Sequence, residues 1–200
     1  MKINNVVVIG SGTMGSGIAA HLCNANVPVT LLDLTTEISQ KAKERIGKSR
    51  PPLLIDKSKL DNIHVGNIEE NFDVVSNADW IVEAVVERID IKHNIYEKIF
   101  KHRKKESVVS SNTSSIPISV LSEKLSDQDK KDFCITHFFN FHIFCLISIY
   151  LFIPLILSDL LLRSSAVTSI SVERTIKQVA TARIVAVSYT HLTLPTILRV

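Results

Sequence analysis

Two hundred residues, 46% of them hydrophobic, allow one domain with a sizeable core, or one domain and part of a second. A net charge of +3, spread along the chain, excludes a nucleic-acid-binding stripe, and the basic cluster of Lys101, Lys104 and Lys105 reads as a solvated helix end. Three cysteines, Cys23, Cys134 and Cys145, are odd in number and lack the paired spacing of metal sites, so they read as reduced core residues of a cytoplasmic protein.

The chain opens without a charged n-region, apolar h-region or cleavage site, which argues against a secretory signal. The β-branched run at residues 6–9 predicts a strand that stops at Gly10-Ser11-Gly12-Thr13-Met14-Gly15. Gly10 suits a sharp turn, Gly12 leaves room for a pyrophosphate, and Gly15 allows close helix–strand packing. Ile18, Ala19, Leu22 and Cys23 then mark a helix whose N-terminal amides can receive phosphate oxygens. A second strand, residues 27–32, ends at Asp33, at the spacing expected of a carboxylate that binds the adenosine ribose. A carboxylate there repels a 2′-phosphate and no arginine follows closely, so NAD is expected rather than NADP. The plainer alternative is an ordinary strand-to-helix turn, with Asp33 capping the next helix.

Residues 35–48 predict a helix, with Thr35 or Thr36 as N-cap, Ile38, Ala42 and Ile46 at helical spacing, and Pro51-Pro52 ending it. Lys41, Lys48 and Lys57, in and after it, are either phosphate contacts or plain solvated lysines. A third strand at 63–68, a short helix at 69–75 and a buried strand at 78–86 follow, the last with the near-continuous apolar character of a parallel sheet. Glu87 stands at its carboxyl end, where open α/β sheets bind ligands. Next come a helix at 89–100, a strand at 107–111, a polar loop at 111–115, a helix at 116–125, a charged loop at 127–132 and a strand at 133–138. The alternation indicates an α/β fold with a doubly wound parallel sheet.

Four motifs in register, Gly10-Ser11-Gly12-Thr13-Met14-Gly15 with Asp33, the stretch 78–87, Ser111-Asn112-Thr113-Ser114-Ser115 and His137-Phe138-Phe139-Asn140, resemble the NAD-binding domain of the 3-hydroxyacyl-CoA dehydrogenases. The resemblance covers residues 3–140 and implies a Rossmann-type sheet. It implies oxidation of the 3-hydroxyl of a fatty acyl-CoA to a ketone, with NAD as hydride acceptor, in β-oxidation. It places Gly10, Gly12, Thr13, Met14 and Gly15 along the pyrophosphate, Asp33 on the ribose, Val85, Val86, Glu87 and Lys92 on the nicotinamide side, and Asn140 near the nicotinamide ribose or carboxamide. His137 matches the catalytic histidine, and Ser114 the residue touching both cofactor and substrate hydroxyl. Imidazole can accept a proton near neutral pH, which hydride loss from the neighbouring carbon requires. Without the resemblance, His137 reads as a structural histidine and Ser114 as a turn residue or helix cap.

After Asn140 the pattern departs: Phe141 replaces a proline, and Ile149 falls near the place of the family's imidazole-orienting glutamate. Residues 138–158 carry no charge and have three readings: a membrane anchor, a buried sheet segment, or a stretch read in a shifted frame. Residues 187–196 resemble a translated sequencing adapter. The expected organisation is thus an NAD-binding domain at 1–140, an apolar segment of doubtful frame at 141–186 and a non-native tail at 187–200. The family's C-terminal helical domain, and with it much of the dimer contact of full-length relatives, is expected to be missing and activity to be low. A non-catalytic or membrane-tethered NAD-binding module is the alternative, and another β-hydroxyacid dehydrogenase a third reading.

Overall fold

A computed structural model describes residues 3–141 and 144–150, with side chains from 3 to 138. Among the described residues, seven strands form one sheet in the order β3-β2-β1-β4-β5-β6-β7. They are β1 (Val6–Ile9), β2 (Val29–Asp33), β3 (Ile63–Asn67), β4 (Trp80–Glu83), β5 (Val108–Ser111), β6 (Phe133–Phe141) and β7 (Phe144–Tyr150). The first six run parallel and β7 is antiparallel to β6. Strand order reverses between β1 and β4, which is where a doubly wound sheet opens its ligand crevice.

Helices α1 (Thr13–Asn24), α2 (Thr36–Lys48), α3 (Ile89–His102) and α4 (Ile118–Leu121) make the connections among these strands, together with 3-10 turns at Lys57–Asn62, Phe72–Asn77 and Asp129–Asp132. Strand alternation divides the core into two layers. Val6, Val8, Trp80 and Val82 pack with Ile18, Leu22, Ala42 and Ile46 on one face. Val7, Ile9 and Ile81 pack with Ile95, Tyr96 and Ile99 on the other. Both faces of the sheet are therefore covered, as the apolar strands require.

Three expected elements differ. The helix expected at 69–75 is replaced by a 3-10 turn, Phe72–Asn77, because Asn67 Oδ1 takes the amides of Glu69 (3.0 Å) and Glu70 (2.7 Å) and offers the backbone a local alternative. The strand at 78–86 is shortened to Trp80–Glu83, since the Val85 amide turns inward to Glu83 Oε1. The helix at 116–125 survives only as α4, after which Glu123 and Leu125 make i→i−3 turns. Of the run at 138–158, the described part lies in β6 and β7, while its remainder and residues 151–200 lie outside the described residues. Among the described residues no helix is long and apolar enough to cross a membrane.

Asp79 pins the sheet at the edge opposite the crevice. Its Oδ2 accepts the amides of Asn4 (2.7 Å) and Asn5 (3.0 Å), and its Oδ1 pairs with Lys104. Burial alone would raise this carboxyl, but the Lys104 ammonium and the two amides outweigh it and hold it below the usual range. A depressed folded value stabilises above the unfolded value of about 3.9 and is lost as pH falls through the folded value. D79N is therefore expected to cost about 1–2 kcal/mol at neutral pH. Urea melts of both proteins should converge as the pH is taken below the unfolded value.

Candidate functional site

The crevice begins at the turn between β1 and α1. Gly10 has φ +99°, and a Cβ there would lie 2.6 Å from the Ala84 carbonyl oxygen. Only glycine takes that conformation without strain. At Gly15 a Cβ would stand 1.8 Å from the Gly10 carbonyl oxygen, so helix and turn touch backbone to backbone. Gly12 is the opposite case: nothing lies within 4 Å of where its Cβ would be. It is the N-cap of α1, with no side-chain cap and no acid in the first turn. Helix amides beside open space are the donor set that a diphosphate fits.

Asp33 closes the turn from the end of β2. Its Oδ2 accepts both the amide and the hydroxyl of Ser11, each at 2.6 Å, and its Oδ1 accepts the Leu34 amide at 2.7 Å. The other side of Ser11 is held as well, for its carbonyl accepts Ser16 Oγ (2.9 Å) and Arg45 Nη2 (2.8 Å). Arg45 comes from the far half of α2, so no local spacing in the sequence announces it.

Beside the turn lies a cleft of about 390 Å³. Met14 enters it from α1, Ala84, Val85 and Glu87 from the exit of β4, Asn112 and Ser114 from the loop after β5, and His137 and Phe138 from β6. The structure thus gathers Met14, Val85, Glu87, Ser114 and His137 in one hollow, next to Gly10, Gly12, Thr13, Gly15 and Asp33. Val86 is 60% exposed and does not line it. Asn140 lies on β6, with its side chain outside the described residues. A larger hollow of about 540 Å³, between α3 and α4, contains none of the expected site residues.

Lys92 does not line the cleft. Its ammonium is completely buried behind the wall, 2.6 Å from Glu83 Oε1 and 3.2 Å from Glu87 Oε2. Glu87 also accepts the Thr113 hydroxyl and the Ser115 hydroxyl at 3.1 Å. Burial would raise the Glu87 carboxyl, but the Thr113 hydroxyl and the Lys92 ammonium hold it below the usual carboxylate range. Glu83, Tyr96 and Asn112 were not among the expected site residues. A signal existed: a carboxylate inside an apolar strand, and Lys92 and Tyr96 four apart on one helix face.

His137 is held through its neighbours. Asn112 Oδ1 accepts the Phe138 amide at 3.0 Å, and the Asn112 amide donates to the Glu83 carbonyl at 2.7 Å. Thr136 donates to Ser110 Oγ at 3.0 Å, and Trp80 Nε1 donates to the same oxygen at 2.9 Å. An imidazole and a serine hydroxyl on a fixed frame, beside an anion cradle, suit proton transfer at a hydroxyl-bearing carbon.

A family model described as "3-hydroxyacyl-CoA dehydrogenase, NAD binding domain" matches residues 5–148. A putative fatty acid oxidation complex trifunctional enzyme of Rickettsia felis is 41% identical over 146 residues, covering 70% of this chain and 20% of that protein. A probable 3-hydroxyacyl-CoA dehydrogenase of Deinococcus radiodurans is 39% identical, covering 70% of this chain and 42% of that protein. The crystal structure of the (S)-3-hydroxybutyryl-CoA dehydrogenase of Ralstonia eutropha superposes with a TM-score of 0.57 at 29% identity, covering 69% of this chain and 50% of the other. The chain thus spans between a fifth and under a half of these two curated relatives.

Proposed function

We infer the function from one premise: the chain belongs to the 3-hydroxyacyl-CoA dehydrogenase family, whose NAD-binding domain it carries. We propose that the glycine turn and Asp33 hold NAD, and that Ser114 and His137 act on the 3-hydroxyl of a fatty acyl-CoA. The observation that carries this reading is the single cleft in which Met14, Glu87, Ser114 and His137 meet beside an open, uncapped helix N-terminus.

NAD, when bound, supplies the acceptor for the hydride that leaves C3. The chain's own residues do the rest. Gly10, Gly12, Thr13, Met14 and Gly15 bind the pyrophosphate through amides, and Asp33 accepts from the ribose hydroxyls. His137 takes the proton of the C3 hydroxyl as the carbon loses its hydride, leaving a ketone, and returns it in the reverse direction. Ser114, exposed at the mouth of the cleft, donates a hydrogen bond to the same oxygen. Glu87, Val85 and Asn140 complete the nicotinamide side; Lys92 serves it from behind, through Glu87, and Val86 stands at its exposed rim.

Turnover by the chain alone is expected to be slow, since Ile149 stands where the resemblance calls for glutamate. A reducing, cytoplasmic setting fits the two buried thiols, Cys23 and Cys134, which burial pushes up to about 11 and about 12 and so keeps protonated.

Calorimetric titration of the chain with NADH tests the cofactor reading, and the absence of any binding up to about 1 mM removes it. H137Q tests the chemistry. It is expected to lower NADH-dependent reduction of a 3-ketoacyl-CoA by about a hundredfold while leaving NADH affinity within about twofold. Equal rates for both proteins would remove His137 from its role.

A further inference from the structure

Glu83 ends β4, in register with Ile9 of β1 and Ser111 of β5, and is completely buried. Four donors saturate its carboxylate. Oε1 accepts the Val85 amide (2.9 Å) and Lys92 Nζ (2.6 Å), while Oε2 accepts the Tyr96 hydroxyl (2.6 Å) and the Ser111 hydroxyl (2.6 Å). Burial and the Glu83 charge push the Tyr96 phenol up, which keeps it a neutral donor. The donors come from the β4 exit, from α3 and from the end of β5; the β4 exit and the loop after β5 line the cleft, and α3 stands behind them.

The network continues outward. Lys92 passes from Glu83 to Glu87, and Glu87 Oε1 receives the Thr113 hydroxyl, the Ser115 hydroxyl at 3.1 Å and the Ser114 amide at 3.4 Å. A line of charge-assisted bonds therefore runs from the buried sheet to the loop that presents Ser114. A buried ion pair of this kind commonly stabilises no better than well-packed apolar side chains of the same volume, so stability alone gives weak reason for a carboxylate at this position.

Resting on the proposed NAD reading, we infer that Glu83 is a positioning residue for the nicotinamide half of the site. Through Lys92 and Glu87 it sets the Ser114 loop, and through the Val85 amide it sets the adjoining wall. The adenosine half is held by the glycine turn, Asp33 and Arg45, and the four bonds of the Glu83 carboxylate go to none of them.

This separation gives the test. ADP-ribose lacks the nicotinamide, so its binding reports the adenosine half alone. E83Q is nearly isosteric and is expected to raise the NADH dissociation constant about tenfold while leaving that of ADP-ribose within about twofold. T113V, which removes the hydroxyl at the outer end of the same line, is expected to give the same selective loss, severalfold, and carries the test if E83Q does not fold. The double variant should lose less than the two effects multiplied together, because both act through one network. Equal weakening of both ligands makes Glu83 a scaffold residue and overturns the inference. Unchanged NADH affinity overturns it too and leaves the cofactor reading standing. A wild-type chain that binds neither ligand overturns both.

Discussion

Gly15→Ala is expected to destabilise the domain by at least about 3 kcal/mol, whereas Gly12→Ala, three residues away, leaves the fold intact and removes most of the affinity for NADH. The two glycines share a motif but not a reason. At Gly15 the added methyl meets the Gly10 carbonyl at 1.8 Å, and that oxygen belongs to a backbone locked by φ +99° and by Ala84 behind it. Either α1 moves off the sheet or the turn opens, and both separate Ile18 and Leu22 from Val8. At Gly12 a methyl meets nothing within 4 Å, so stability should stay within about 0.5 kcal/mol of wild type. The same methyl occupies the space over the α1 amides, and NADH affinity is expected to fall at least about tenfold. Thermal melts with NADH titrations on both variants check the pair. A stable G15A protein, or a G12A protein that binds as wild type, would contradict the geometry of the turn.

Lys92→Met carries the other large effect. Its ammonium is the counterion of Glu83, and both side chains are completely excluded from solvent. Removing one partner of such a pair strands the other, at a cost of about 3–5 kcal/mol. For a domain of this size that is roughly a third of the total stability or more, and the melting temperature should fall by about 10 °C or more. Packing alone does not predict this, because methionine fills most of the lysine volume. The double variant E83Q/K92M separates the two accounts. An amide at position 83 still accepts the Val85 amide and strands no charge, so the double variant should be more stable than K92M alone. A K92M protein that melts within about 2 °C of wild type would show that the charge at 83 is compensated from elsewhere.

The parts of the site that follow from local chain geometry were legible in the residues. Gly10, Gly12 and Gly15 are read from a strand that stops and a helix that starts, and Asp33 from its distance along one βαβ unit. In the fold the turn follows β1 directly and Asp33, at the end of β2, bonds to Ser11 within it. Ser114 and His137 are brought to one cleft because parallel strands present all their carboxyl ends on the same edge. Lys92 shows where this reasoning fails. Its motif position places it beside a ligand, but helical periodicity puts it on the inner face of α3 together with Tyr96, and a buried acid claims it. The clamp of Arg45 on Ser11 joins residues 34 apart and depends on how α2 lies against α1. The missing helix after Asn67 was decided by one side-chain oxygen competing with the backbone, which composition averaged over a window does not register.

Trp80 is the one tryptophan of the 200 residues, and its indole stacks on Phe138 with ring centres 6.4 Å apart and planes 25° from parallel. Phe138 also lines the cleft. The protein therefore carries a built-in optical gauge: ultraviolet light absorbed by a single, rigidly held ring is emitted one side chain away from the ligand hollow. Quenching of that emission as a dihydronicotinamide enters would follow occupancy directly, without a dye and without disturbing any residue of the site.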